Sequence, residues 1–300
     1  MIKIAVIGGT GLLGSNLVSL FSKDYDVRAF SRGYSSNIKE NFNYIIDFNF
    51  LDLSLNNQFK AWKPDIIINT VAVVNIELCE NSYSMAEYVN CEIASQLANI
   101  ALKFNSYFIH VSTDHFFNNK DMIHNEEHDV ELLNNYAITK FNAEKSVLKI
   151  CDNALVVRTN IIGFRRRMAK SFFEWLLDSL KNEKKIELFT DYFTSPISVN
   201  QLGNILIRCY LHKNNGLFNI ASSEVIDKYS FGIKVAEKFE YSVKNISPKK
   251  FKDNKLVYPN RALSLGLDIS KIEASLKEKM PTINETLDEL RNENERYLNE

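Results

Sequence analysis

Tyr136 and Lys140 stand four residues apart in Tyr136-Ala137-Ile138-Thr139-Lys140, a spacing that stacks them on one face of a helix. A phenol beside an ammonium has chemical value. The positive charge favours the phenolate and draws the phenol toward the working pH, so that it can exchange a proton with a substrate oxygen. In a chain with 13 tyrosines the spacing alone is a weak signal, and position is what strengthens it. Upstream lies Val111-Ser112-Thr113-Asp114, the hydroxyl-bearing end of an apolar strand, and an open α/β sheet places its active site at such carboxyl ends. Ser112 or Thr113 would donate a hydrogen bond to the reacting oxygen; alternation along the strand turns only one of them inward.

A second constellation sits at the N-terminus. Gly8-Gly9-Thr10-Gly11-Leu12-Leu13-Gly14 joins an apolar strand, Ile2 to Ile7, to a helical pattern from Leu12 to Lys23. Gly8 permits a tight turn, Gly11 lets the backbone approach a pyrophosphate, and Gly14 lets the helix pack closely. The phosphates then face the helix N-terminus at Leu12 and Leu13. Only ten glycines occur in the chain, so a Gly-x-x-Gly-x-x-Gly run at this junction points to a bound dinucleotide. The second strand ends Phe30-Ser31-Arg32. An arginine suits a ribose 2′-phosphate, which selects NADPH with NADH as the alternative, unless Arg32 is simply a solvated loop residue.

The elements that must position these groups follow a βαβ rhythm. Strands are expected at Ile2–Ile7, Val27–Phe30, Tyr44–Ile46, Asp65–Thr70, Tyr107–Ser112 and Ala154–Arg158, six before residue 160. Long helices are expected over Ser84–Lys103 and from about Asn134 onward. Beyond Gly163 the pattern changes, giving a Rossmann-type, doubly wound parallel sheet over residues 1–160 and a smaller α/β substrate-binding lobe over 161–300, with some segments able to return to the first domain. A formal net charge of −1 offers no footprint for nucleic acid or an anionic membrane, so the expected partner is a small molecule, and a homodimer is left open. Cys79, Cys91, Cys151 and Cys209 show no paired spacing. With no signal peptide read at Met1–Ile7, they imply reduced thiols and a cytoplasmic protein. Acidic and His residues form no metal-ligand pattern, and no metal is expected.

Several separated segments resemble the dTDP-4-dehydrorhamnose reductase branch of the extended short-chain dehydrogenase/reductases. They are the glycine turn, Asn69-Thr70-Val71-Ala72, Val89-Asn90, Ser112-Thr113-Asp114, Tyr136 with Lys140, Val157-Arg158-Thr159, Asp191 to Pro196, and Arg261 to Lys271. The resemblance implies Thr113, Tyr136 and Lys140 as catalytic residues. It places Val71 and Ala72 against the cofactor and Asp52-Leu53 near the adenine, although Asp52 would equally cap the helix that follows. Asn90 is implied near the lysine, or is an ordinary polar helix position.

The implied reaction is NADPH-dependent reduction of the 4-keto group of a nucleotide-activated, dTDP-type deoxysugar for surface polysaccharide. Asp114, His115, Arg158, Tyr192, Ser195 and Arg261 would meet the substrate. Departures cluster on that side: His115 replaces the family's tyrosine, Tyr192 its glutamine, and Arg261-Ala262-Leu263-Ser264-Leu265 its Arg-Pro-x-Asn-Ser. Arg165-Arg166-Arg167 offers either cations for a diphosphate or a solvated turn. Phe172, Phe173 and Trp175 read more readily as core or a subunit face than as a base platform. Rival functions on the same scaffold are an NAD-dependent sugar-nucleotide epimerase or dehydratase, and a non-catalytic dinucleotide-binding regulatory subunit.

Overall fold

The computed structural model describes residues 1–33, 42–117, 122–165, 169–253 and 260–299. Its elements through the first half are β1 (Lys3–Ile7), α1 (Leu12–Phe21), β2 (Asp26–Ser31), β3 (Asn43–Ile45), α2 (Leu51–Trp62), β4 (Ile66–Asn69), α3 (Ile76–Asn81), α4 (Tyr83–Glu87), α5 (Ile93–Phe104), β5 (Tyr107–Val111), β6 (Ile123–His124), α6 (Asn135–Ile150) and β7 (Ala154–Arg158). There follow β8 (Asn160–Ile162), α7 (Phe172–Lys181), β9 (Ile186–Phe189), β10 (Phe193–Thr194), β11 (Pro196–Ser198), α8 (Val199–Leu211) and β12 (Gly216–Asn219). The chain ends with β13 (Ile226–Asp227), α9 (Lys228–Lys238), β14 (Ile246–Lys249), β15 (Ser264–Leu267), α10 (Ser270–Leu276) and α11 (Ile283–Asn299).

Seven strands make one sheet in the order β12-β7-β5-β4-β1-β2-β3. From β3 across to β7 every pairing is parallel. Parallel strands carry helices on both faces and so read as unbroken apolar runs, which is why Ile66, Ile67 and Ile68 are all fully buried. The winding reverses between β1 and β4, and a crevice opens there at the carboxyl ends. Both sides of it are tied together: the Thr70 backbone N–H and hydroxyl donate to the Ile7 carbonyl at 2.9 and 2.8 Å. This is the doubly wound α/β sheet expected from the sequence, with the six expected strands in place and β12 added at the edge.

By compactness the chain divides into two units. The first comprises Met1–Thr113, Leu132–Arg158 and Gly203–Phe218, and the second Asp114–Glu131, Thr159–Leu202 and Asn219–Glu300. The chain already leaves the first unit after Thr113, and it returns in α8 to supply β12 beside β7. The second unit holds short sheets, β13-β10-β15-β6, β11-β8 and β14-β9, around a core of its own that includes Phe173, Leu176, Phe231, Val235, Ile283 and Leu287. Phe173 thus belongs to that core, while Phe172 and Trp175 are partly exposed on α7. Among the described residues no helix is long and apolar enough to cross a membrane.

One long helix was expected over Ser84–Lys103. The structure has α4 and α5 joined by a π turn at Tyr88–Glu92, whose buried Asn90 bonds outside its own helix.

The glycine turn shows which of its glycines the fold itself requires. Gly8 has φ of 90°, where L side chains are strained, and a Cβ there would lie 2.7 Å from Thr70 Oγ1. A Cβ on Gly14 would lie 2.3 Å from the Gly8 carbonyl oxygen and 2.9 Å from Gly9 Cα, both backbone atoms that cannot swing away. Gly14→Ala should therefore cost about 1–3 kcal/mol. In urea unfolding this appears as a lower midpoint with an unchanged slope; an unchanged midpoint contradicts the close helix–turn packing.

Candidate active site

A cavity of about 850 Å³ opens over the glycine turn. Gly8, Thr10 and Gly11 line one side, Ser31 and Arg32 the end of β2, and Val71, Ala72 and Val73 the segment after β4. Leu12, Leu13 and Gly14 form the first turn of α1, whose leading amides have no acceptor within the helix and suit an anion. Unlike Gly8, Gly11 has ordinary extended backbone angles, φ −76° and ψ 174°. A Cβ on it would meet only the Gly8 carbonyl oxygen, at 3.4 Å. Nothing in the fold forbids a side chain there. The space such a side chain would take is the space a pyrophosphate needs, so the cradle fits a dinucleotide.

At the end of β2 the Ser31 hydroxyl donates to the Gly33 carbonyl at 2.8 Å and holds the loop, while Arg32 is exposed at the cavity margin. Asp52 and Leu53 do not line the cavity. Asp52 sits in the first turn of α2, ion-paired with Lys103 at 3.1 Å, and Leu53 is exposed. After β3 the cavity is lined instead by Ile46, Asp47, Phe48 and Asn49. Asp47 caps a short 3-10 turn by accepting from the Asn49 N–H at 2.9 Å.

α6 carries the candidate acid. Asn134 caps it by accepting from the Ala137 N–H, and the Asn135 N–H donates to Glu80 at 2.6 Å, so the first turn is held at both sides. Tyr136 is buried among Ile76, Cys79 and Ala86. One turn on, Lys140 is 1% exposed, and its Nζ donates to the Val111 carbonyl at 2.7 Å. Burial pulls the amine down to about 8, with Glu144 opposing. His110 Nε2 lies 3.3 Å from the same Nζ. Asn90, from the π turn, accepts from the Val73 N–H at 2.8 Å and donates to Thr139 Oγ1 at 3.0 Å. It fixes the cavity wall to the helix that carries Lys140.

A buried ion pair bears on two further groups. Arg158 is engaged by a buried carboxylate: its Nε and NH2 reach Glu144 at 3.1 and 2.8 Å, with both side chains 3% exposed. A guanidinium forked onto a buried carboxylate is held in place by it, and for Arg158 that engages Nε and NH2 within the first unit. The Ser112 hydroxyl donates to the same Glu144 at 2.6 Å. Ser112 is thereby turned toward the core, and Thr113 beside it is buried as well.

In the second unit, Asp114 is 1% exposed and accepts from Asn160 Nδ2 at 2.7 Å. His115 Nε2 lies 3.4 Å from the Tyr192 hydroxyl. Burial lowers the imidazole to about 4, helped by the charges of Arg261 and Lys228, so it is neutral near pH 7. Lys228 was missed by sequence reasoning. It lies over the rings of Phe172 and Tyr192 at 4.7 and 5.5 Å, and burial lowers it to about 8 against the pull of Asp114. Arg261 is exposed, whereas Ser195 is fully buried and accepts from the Leu267 N–H at 3.3 Å, which makes it a structural tie. Arg165 is described, and Arg166 and Arg167 lie outside the described residues.

Residues 2–295 match the family described as the RmlD substrate binding domain. The spore coat polysaccharide biosynthesis protein SpsK of Bacillus subtilis (strain 168) is 23% identical over 239 residues, 79% of each chain. Subunit beta of methionine adenosyltransferase 2 from Xenopus laevis is 24% identical over 279 residues, 90% of this chain and 81% of that one. A crystal structure of dTDP-4-dehydrorhamnose reductase from Bacillus anthracis str. Ames in complex with NADP superposes with a TM-score of 0.82 at 19% identity. That superposition covers 98% of this chain and 100% of the other.

The contrast among the glycines can be measured. Gly11→Ala should leave unfolding within about 0.5 kcal/mol of the parent and weaken NADPH binding roughly tenfold or more in a fluorescence titration, about 1.4 kcal/mol. Unchanged affinity contradicts the pyrophosphate cradle.

Proposed function

Since the chain belongs to the RmlD substrate binding domain family, we propose that it is an NADPH-dependent reductase of the 4-keto group of a nucleotide-activated deoxysugar, acting in polysaccharide synthesis. The observation that carries this reading is the placement of Tyr136 and Lys140 one turn apart on α6, with Lys140 buried and anchored at the carboxyl end of β5 just before Thr113. The relatives add to it: one is named for spore coat polysaccharide and a structural neighbour is a keto-sugar reductase holding NADP. The cavity over Gly11 would hold the cofactor through its pyrophosphate, and Arg32 its 2′-phosphate.

When bound, the reduced nicotinamide supplies the hydride. The protein's own residues do the rest. Thr113 donates a hydrogen bond to the keto oxygen and orients it. Tyr136 passes its phenolic proton to that oxygen as negative charge develops there. The cationic form of Lys140 lowers the cost of the phenolate left behind. Polarising the oxygen in a water-poor site is worth far more than in bulk water. Asp114, His115, Tyr192 and Arg261 are the groups we assign to the sugar nucleotide, with Lys228 added from the structure.

A second reading, a non-catalytic dinucleotide-binding subunit, is favoured by the likeness across 90% of this chain to a protein named as subunit beta of another enzyme, methionine adenosyltransferase 2. Together, Thr113, Tyr136 and Lys140 favour catalysis. Mixed with NADPH and dTDP-4-keto-6-deoxyglucose, the protein should consume NADPH in step with sugar reduction; binding of NADPH with no consumption of it on any 4-keto sugar nucleotide selects the second reading. Tyr136→Phe should lower kcat by about 10²–10⁴-fold. Arg32→Ala should raise KM for NADPH roughly tenfold and leave NADH unaffected; an unchanged ratio removes Arg32 from the cofactor site.

A further inference from the structure

His110 has no part in the chemistry above, yet it is fully buried in β5 between Asn69 and Lys140. The orientation of the Asn69 amide is not free. Its Oδ1 accepts from the Val71 N–H at 3.0 Å, so the group 3.1 Å from His110 Nδ1 is Nδ2, a donor with no acceptor capacity. His110 Nδ1 must therefore be the acceptor and carry no proton. Burial, with Lys140 adding to it, holds the ring well below its ordinary value, so the imidazole is neutral and its one proton sits on Nε2.

That nitrogen is 3.3 Å from Lys140 Nζ. An ammonium has only donors and meets an N–H there, donor against donor, while its contact with the Val111 carbonyl stays satisfied. A neutral amine has one lone pair: it accepts from His110 Nε2 and still donates to Val111. Both polar contacts are then made.

We propose that Asn69 and His110 are positioning residues for Lys140: the Asn69 amide fixes the His110 proton on Nε2, and that N–H favours the amine of Lys140 over its ammonium. Lys140 is then a group that gains and loses a proton near the working pH instead of a fixed cation. The titratable groups that face it besides His110 are Glu144, one turn along α6, and Cys91, from the π turn. The Glu144 carboxylate favours the ammonium, whereas burial pushes the Cys91 thiol up to about 11 and leaves it uncharged near the working pH; His110 and burial oppose Glu144. Tyr136 precedes it by one turn on the same helix. The bearing of this arrangement on turnover rests on the reduction proposed above, whereas the arrangement itself does not.

Nitrogen chemical shifts of ¹⁵N-histidine protein, without cofactor, read the tautomer directly, with the His110 signal identified by its loss in His110→Gln. The ¹³Cε shift of Lys140, identified by its loss in Lys140→Met, reads the lysine titration. In the parent, His110 should be protonated on Nε2 and bare on Nδ1 between pH 6 and 9. Asn69→Asp keeps an acceptor for the Val71 N–H but offers His110 an acceptor in place of a donor. The ring should turn over to the Nδ1–H form, and the Lys140 midpoint should rise by about one pH unit or more. His110→Gln, with its oxygen held by Asn69, still presents an N–H to Lys140 and should keep the parent midpoint. A parent His110 protonated on Nδ1, a midpoint that does not rise in Asn69→Asp, or one that rises as far in His110→Gln overturns the proposal. A protein that lacks reductase activity but shows the parent tautomer and these midpoints retains it.

Discussion

Burying one amine at the carboxyl edge of a parallel sheet is the constraint around which the site is organised. An isolated ammonium taken from water into a protein interior is costly, and its neighbours must either compensate it or let it lose its proton. Lys140 meets both conditions. The Val111 carbonyl ends β5 at the point where it can accept from Nζ, and Glu144 lies one helical turn beyond. Asn90, freed by the π turn from an ordinary helix position, locks the helix to the segment that lines the cofactor cavity.

A second buried charge keeps the strand ends in register with that helix. Glu144 is held by Arg158 from β7 and by Ser112 just past β5, so one carboxylate spans two adjacent strands and α6. Breaking such a pair leaves an uncompensated buried charge, which is why the three groups behave as a unit. Ser112 is held in this way, so the two neighbouring hydroxyls past β5 are not equivalent.

Much of this was legible in the amino-acid order because its signals are local. Buried parallel strands appear as apolar runs, and the glycine turn carries its context on both sides. What escaped was set by partners distant in sequence. Arg158 reads as a ligand cation until Glu144 is placed against it, and His110 is a lone polar residue in an apolar strand until Asn69 and Lys140 flank it. Asp47 carried no signal in the sequence: it lines the cavity because β3 is only three residues long and a 3-10 turn separates it from α2, which carries Asp52. Lys228 carries no motif and becomes visible only through the rings of Phe172 and Tyr192.

The central claim is that the cavity over Gly11 holds a hydride donor for a sugar ketone and that α6 supplies the proton. Its most direct test uses NADPH deuterated at both positions of nicotinamide C4, with a dTDP-4-keto-6-deoxy sugar as acceptor and the product read by mass spectrometry and NMR. The account predicts a product heavier by a single deuterium, located at C4 of the sugar. Reduced product free of deuterium, or deuterium at another carbon, would contradict it.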